Sequence, residues 1–181
     1  MSRFALPESL KNSERVFEGA RFDVHQIELV GHHGGNYRRE VVVHPGAVVI
    51  LPIIDNDTIV LIQNYRFAVD KILWELPAGT LEPSEAPIDT AYRELLEETG
   101  YIAAHLHPLL DFYTSPGICN EKMFAFVAND LTQKSQNLDE TEEIIVKPMR
   151  WDKIFEMIKT NEICDGKTIA TLLFYHHFYR K

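Results

Sequence analysis

This chain is poor in cysteine, in long apolar runs and in positive charge, and each shortage excludes something. Cys119 and Cys164 are its only cysteines and share no ligand-like spacing. They build neither a disulfide framework nor a zinc module, and a reducing cytoplasm is the expected setting. The longest apolar run, residues 47–54, includes Pro52 and is far shorter than the roughly 20 residues that a membrane span needs. The first eight residues, MSRFALPE, lack the apolar stretch of a signal peptide. Lys and Arg number 18 against 27 Asp and Glu, a net charge of −9. Nucleic acid and membrane surfaces both reward a basic patch, so neither is an expected partner. Internal repeats and low-complexity linkers are absent as well.

What remains is ordinary globular composition, 45% hydrophobic and 25% charged over 181 residues, enough for one well-buried domain. Residues 1–14 read as a polar, loosely held start. Strand-like patterning over 15–30, a glycine-rich turn at 31–35 and alternation over 37–43 predict a β-hairpin. Residues 47–54 and 58–65 are β-branched apolar runs joined by Asp55, Asn56 and Asp57, which predicts a second hairpin. Residues 72–76 lead into the loop Pro77, Ala78, Gly79. A helix follows, with Ser84 as the expected N-cap, Gly100 as the left-handed stop, and Ile88, Ala91, Tyr92 and Leu95 on its packed face. Strands over 106–113, 123–127 and 142–149 and helices over 151–159 and 168–178 complete the order. Strands, one helix, strands, then helices predict an α/β/α sandwich around a mixed sheet, preceded by an N-terminal β-hairpin extension. The division is 1–45 for the N-terminal segment and 46–181 for the main domain.

The most informative stretch runs from Gly79 to Tyr101. At 100° per residue Glu94, Glu97 and Glu98 fall within an arc of about 100°. Carboxylates that close repel by roughly 0.2–0.5 kcal/mol per i,i+4 pair, and the helix gains nothing from them without a cation. A hard divalent ion with oxygen ligands, Mg²⁺ or Mn²⁺, answers that need. Glutamate-rich helices are more often solvated faces. Here, however, seven positions are fixed at once, with a glycine at each end.

That spacing resembles the signature of the Nudix hydrolases, G-x5-E-x7-R-E-U-x-E-E-x-G-U with U apolar. Only the last slot departs, where Tyr101 replaces an aliphatic residue. The resemblance implies the sandwich fold and a nucleoside diphosphate linked to another group as substrate. By position in the motif, Glu94 and Glu98 are the main metal ligands, with Glu98 counted as catalytic. Glu97 holds a further ion or its water, and Ala78 offers its backbone carbonyl. Gly79 lets the backbone come close to an ion without a Cβ in the way. Glu85 and Arg93 form a supporting ion pair, or Glu85 binds an outer metal instead.

Shorter segments point to the branch that resembles ADP-ribose pyrophosphatases. In Ser115, Pro116, Gly117 the proline stands where that branch has one, and Glu121, four residues on, is implied as general base. Gln63, Asn64, Tyr65 and Arg66 resemble the segment before the motif, with Arg66 on a phosphate. Arg38 and Arg39 alternate on a strand, so at most one faces a site. Phe17 or Phe22 is the proposed base-stacking ring, since the branch exchanges this hairpin between two subunits of a homodimer; Tyr65 and Trp74 compete. His32, His33, His176 and His177 lack ligand spacing and read as turn and helix-surface residues. Asp165 to Thr168 echoes a phosphate loop without its upstream glycine and reads better as a helix start capped by Asp165. The acidic run 139–143 reads as a solvated loop that could lend a carboxylate, and Glu82 has a similar minor claim. The expectation is Mg²⁺-dependent (or Mn²⁺-dependent) hydrolysis of ADP-ribose or a related nucleoside diphosphate sugar to an NMP and a sugar phosphate. A GDP-mannose or broad sugar-nucleotide hydrolase and a non-catalytic nucleotide sensor are the rivals.

Overall fold

A computed structural model describes residues 4–138 and 143–180. The chain forms two compact units, residues 1–46 with 112–122, and residues 47–111 with 123–181.

In the first unit, β1 (Glu14–Glu18), β2 (Asp23–Val30) and β3 (Asn36–Val43) form an antiparallel sheet in that order. The expected hairpin is β2–β3, closed by a turn in which Gly31 N–H donates to Gly35 O at 2.8 Å. A bulge between Arg15 and Phe17 shifts β1 across β2. The loop 114–121 is tied to the end of β3, where Val42 N–H donates to Ile118 O and Asn120 N–H to Val42 O.

The second unit holds two sheets. One is antiparallel, in the order β10–β5–β6, from Ile144–Arg150, Thr58–Arg66 and Lys71–Glu75. The other runs β7–β4–β9–β8, from Ala78–Thr80, Ala47–Pro52, Lys122–Gln133 and Tyr101–Tyr113. It is mixed, with β4 parallel to β9 and antiparallel to β7. Helix α1 (Pro87–Thr99) packs on it through Ala91 and Leu95 against Val48, Ile50, Leu106, Phe126 and Ala128. Helices α2 (Trp151–Lys159) and α3 (Gly166–Phe178) meet through the stacked rings of Trp151 and Tyr175. The predicted α/β architecture around a mixed sheet is the observed one. Among the described residues no helix is long and apolar enough to cross a membrane.

The second predicted hairpin does not form. Its turn closes locally, with Ile54 N–H donating to Thr58 O, but only Ile53 and Ile59 then bridge before β4 and β5 enter different sheets. The reason lies in the burial of β4, where all six residues are buried. A strand apolar on both faces needs cover on both, as in a parallel sheet centre. Val48 and Ile50 take α1, while β9 and β7 fill both edges of β4.

Two expectations for α1 are also corrected. Ser84 is no cap: it has φ 69°, and the cap position is Ala86 with Pro87 first in the helix. Proline is pre-set for that place and its missing N–H costs nothing. Asp89 and Thr90 N–H both donate to Ala86 O. The buried face is Thr90, Ala91, Leu95, Glu98 and Thr99, whereas Ile88 and Tyr92 stay partly in solvent. Gly100 ends the helix as expected at φ 70°, its N–H on Leu96 O. A Cβ there would stand 2.9 Å from Gln136 N and Lys134 O, so glycine is needed twice over.

Candidate active site

The glutamate helix is organised by one cation. Arg93 Nε and Nη2 grip Glu85 at 3.1 and 3.0 Å, while Nη1 reaches Glu94 at 2.8 Å and Glu97 at 2.9 Å. The expected Glu85–Arg93 pair is therefore part of a four-residue cluster. Its guanidinium is the most strongly held cation described, its pKa raised by Glu85 first and then by Glu94 and Glu97. Arg93 in turn lowers the Glu85 pKa, helped by Thr90 Oγ1, which donates to Glu85 Oε2 at 2.8 Å. The repulsion between Glu94 and Glu97, three residues apart, is thus partly offset by Arg93 of the same helix.

Glu98 is set apart from this cluster. It is 3% exposed, and its Oε2 accepts from Ala78 N–H at 2.9 Å. Pro77 O takes Ile50 N–H, and Ala78 and Gly79 pair with Val49 and Val48 of β4. The loop and the helix are therefore locked edge to edge. A Cβ on Gly79 would lie 1.9 Å from Cδ and Oε1 of Glu94. With any side chain at position 79 the Glu94 carboxylate would have to move aside.

Glu94 and Glu98 thus meet the loop at Gly79 and Ala78, while Glu97 joins Glu94 on Arg93. Among the described residues no three His, Cys, Asp or Glu side chains converge in metal-holding geometry. Arg93 takes oxygens of Glu94 and Glu97, and the Ala78 amide takes one of Glu98. The donor set still fits a hard divalent ion, being all oxygen and passing a glycine that makes room for the carboxylate.

Arg66, at the end of β5, is anchored. Its Nε and Nη2 form a fork on Glu75 at 2.8 and 2.7 Å. Glu75 is fully buried, and Lys167 of α3 donates to the same Oε2 at 2.5 Å. Asp165 accepts from Lys167 at 3.0 Å and caps α3 at Thr168 N–H, as expected for a helix start. Thr168 Oγ1 accepts Leu76 N–H at 2.8 Å. Sequence reasoning missed Glu75, Lys167 and Thr168. A glutamate inside the apolar β6 run was the one available signal, since carboxylates are almost never fully buried unpaired.

Burial by itself raises the Glu75 pKa; the Arg66 fork and Lys167 outweigh it and hold the group below 4.5. A carboxylate depressed in the folded state contributes stability above its unfolded pKa and loses it as pH falls through the folded one. Glu75→Gln is expected to cost about 3 kcal/mol at neutral pH, as removal of a buried ionic partner does. Urea titrations will show its stability falling less steeply than the parent's between about pH 5 and 3. Parallel slopes would mean that Glu75 is not the linked group.

Arg38, Arg39, Phe17, Phe22 and Glu121 belong to the first unit. Arg38 pairs with Glu28 at 3.2 Å, while Arg39 lies over the Tyr37 ring at 5.9 Å. Being adjacent on β3, the two arginines stand on opposite faces. Phe17 and Phe22 touch each other, with centroids 6.0 Å apart. Glu121 accepts from Thr114 Oγ1 at 2.7 Å and lies 3.5 Å from Nδ1 of His44. That Nδ1 already accepts from Gly46 N–H, and burial lowers the His44 pKa against the pull of Glu121. His44 is thus a neutral neighbour of Glu121 at neutral pH. His176 packs on Phe155 at 4.4 Å. The acidic run 139–143 lies, apart from Glu143, outside the described residues.

Comparison with known proteins shows the family. The NUDIX domain model matches residues 43–172, and the chain belongs to the Nudix hydrolase family. Such hydrolases generally depend on a divalent metal. Among curated relatives, the ADP-ribose pyrophosphatase of Bacillus subtilis (strain 168) is 35% identical over 166 residues, covering 91% of this chain and 90% of that one. The methanol dehydrogenase activator of Bacillus methanolicus is 37% identical over 164 residues, with 88% of each chain covered. A solved structure described as an ADP compounds hydrolase shares the fold with a TM-score of 0.80 at 24% identity, covering 93% of this chain and 91% of its own.

Proposed function

We propose that this protein hydrolyses the pyrophosphate bond of ADP-ribose or a related nucleoside diphosphate sugar, with Mg²⁺ or Mn²⁺, to an NMP and a sugar phosphate. The observation that carries it is the passage of Gly79 against Glu94 beside the buried Glu98, a carboxylate cradle with no use for a larger residue. The similarity to the Bacillus subtilis ADP-ribose pyrophosphatase supports the substrate class.

In this reading Glu94, Glu98 and the Ala78 carbonyl hold the metal, and Glu97 holds a second ion or its water. An ion held there would supply Lewis-acid polarisation of a phosphoryl oxygen and a lowered pKa for its water. Arg66 contributes a fixed cation to the diphosphate, pre-oriented by its fork on Glu75. Glu121 takes the proton of the attacking water, the P–O–P bridge breaks, and the two phosphates leave on separate products. Glu85 and Arg93 support the helix. Arg39, or else Arg38, and Phe22 or Phe17 contact the nucleotide across a homodimer in which the hairpin is exchanged. With two free cysteines, cytoplasmic residence belongs to the same reading.

The test is a panel of sugar nucleotides, ADP-ribose and GDP-mannose among them, with and without Mg²⁺, followed by NMP release. Metal-dependent cleavage ranked with ADP-ribose first is expected; a ranking led by GDP-mannose would move the protein to the rival branch. Bound metal with no cleavage of any would favour a sensor. In the same assay Glu121→Gln is expected to lose about 10²–10⁴-fold in kcat, the usual weight of a general base. Full activity there, with loss in Glu142→Gln, would transfer the base to the acidic run.

A further inference from the structure

The C-terminal third carries no residue of the motif, yet α3 delivers Lys167 into the cluster that anchors Arg66. Four side chains meet there: Arg66 and Lys167 with Glu75 and Asp165. Two positive and two negative groups balance within the cluster, while the Glu98 carboxylate also acts on Arg66 from farther off. Their exposure is graded, with Glu75 at 0%, Lys167 at 14%, Asp165 at 16% and Arg66 at 38%. Arg66 is the only one that reaches well into solvent, and its fork uses Nε and Nη2, leaving the Nη1 donors on the far side from Glu75.

We propose that Lys167 is a positioning residue for Arg66. By sharing Glu75 and neutralising Asp165, it keeps the guanidinium presented outward, with its charge available to the substrate's diphosphate. This rests on the reading of Arg66 as the phosphate contact. Without Lys167, one cation faces two carboxylates. The cluster becomes negative, which repels the diphosphate. The guanidinium is also drawn toward Asp165, which misplaces its outer edge. Both effects weaken substrate binding, and neither touches the carboxylate helix.

A second link in the same turn limits how far the damage spreads. Thr168 Oγ1 holds Leu76 N–H, two residues before Ala78, independently of the charges. Removal of the Lys167 ammonium therefore leaves α3 tied to the loop, and the loop tied to Glu98 through Ala78. The effect should appear in KM rather than in kcat.

The experiment compares Lys167→Met, Asp165→Asn, the double variant and Arg66→Gln with ADP-ribose as substrate and Mg²⁺ saturating. Lys167→Met is expected to raise KM about tenfold with kcat changed less than about twofold, as loss of uniform binding does. Asp165→Asn keeps the helix cap, because asparagine caps as well as aspartate, and, with the cluster left positive, is expected to give a KM no higher than the parent's. The double variant restores the neutral cluster and returns KM to within about twofold of the parent. A merely structural Lys167 predicts the opposite, because the double variant loses further contacts and would be worse than either single. That result, or an unchanged KM in Lys167→Met while Arg66→Gln raises it, overturns the proposal. An unchanged KM in Arg66→Gln would instead remove the phosphate role of Arg66, the reading beneath. Should Lys167→Met not fold, Lys167→Arg keeps the charge and is expected to bind within about twofold of the parent. A tenfold rise there would count against charge balance.

Discussion

Glu98→Gln is expected to turn over ADP-ribose about a thousandfold more slowly than the parent while melting at nearly the same temperature. The expected loss is of the size found when one preorganised electrostatic contact to the reacting phosphate is removed. The unchanged melting follows from what Glu98 does in the fold. Its Oε2 accepts the amide hydrogen of Ala78, and a glutamine oxygen accepts the same bond. Because that bond persists, the link between loop and helix is kept, and only a small change in melting is expected. Glu97→Gln is a milder case, since Glu97 is about a third exposed and shares Arg93 with two other carboxylates. Steady-state kinetics over a Mg²⁺ titration, with a thermal melt of each variant, makes the comparison. Unchanged turnover in Glu98→Gln would discard the ligand assignment.

Gly79→Ala should come close to that loss by a steric route. Its methyl would stand 1.9 Å from the Glu94 carboxylate, so that side chain has to swing away. Swinging it breaks the 2.8 Å bond to Arg93, at a cost of about 1–3 kcal/mol for a charge-assisted contact that is not fully buried. The backbone pairing of Ala78 and Gly79 with β4 does not involve the new methyl, so the sheet holds. A ligand displaced by an ångström or more is a ligand lost for catalysis, and about a hundredfold fall in kcat follows. Because the damage passes through one side chain, it must not add to the loss of that side chain. Glu94→Gln and Gly79→Ala/Glu94→Gln should show similar rates within about twofold. Full additivity would mean that Gly79 serves the loop and not Glu94.

The contrast between these two residues and the rest of the molecule shows what a sequence carries. The side-by-side placing of Arg93, Glu94, Glu97 and Glu98 was legible, because a helix fixes the relative direction of residues three and four apart wherever it is placed. Gly79, outside the helix, and the pairing of Glu85 with Arg93 came from the spacing of the Nudix signature. The cap was misread although it is local. Ser84 and Pro87 both signal a helix start, and only the backbone shows that Ser84 turns to positive φ ahead of the proline.

Long-range choices were beyond that reach. Residues 47–54 and 58–65 are joined by a sound turn, and their separation follows from β9 pairing in parallel with β4 from more than seventy residues away. The partners of Glu75 tell the same story. Arg66 is nine residues away, but Lys167 is ninety-two, and no periodicity links the two segments. By itself, then, the sequence determined the carboxylate helix and its glycine entry and exit, on which the proposed metal-and-phosphate chemistry rests, since these depend on spacing within a short stretch of chain. The tertiary structure alone decided which strands share a sheet, which face of α1 is buried, and which distant lysine balances the charge behind Arg66. Those depend on closing the chain over itself, where burial on both faces of a strand and neutrality in a desolvated cluster are satisfied by whichever segment the fold brings there.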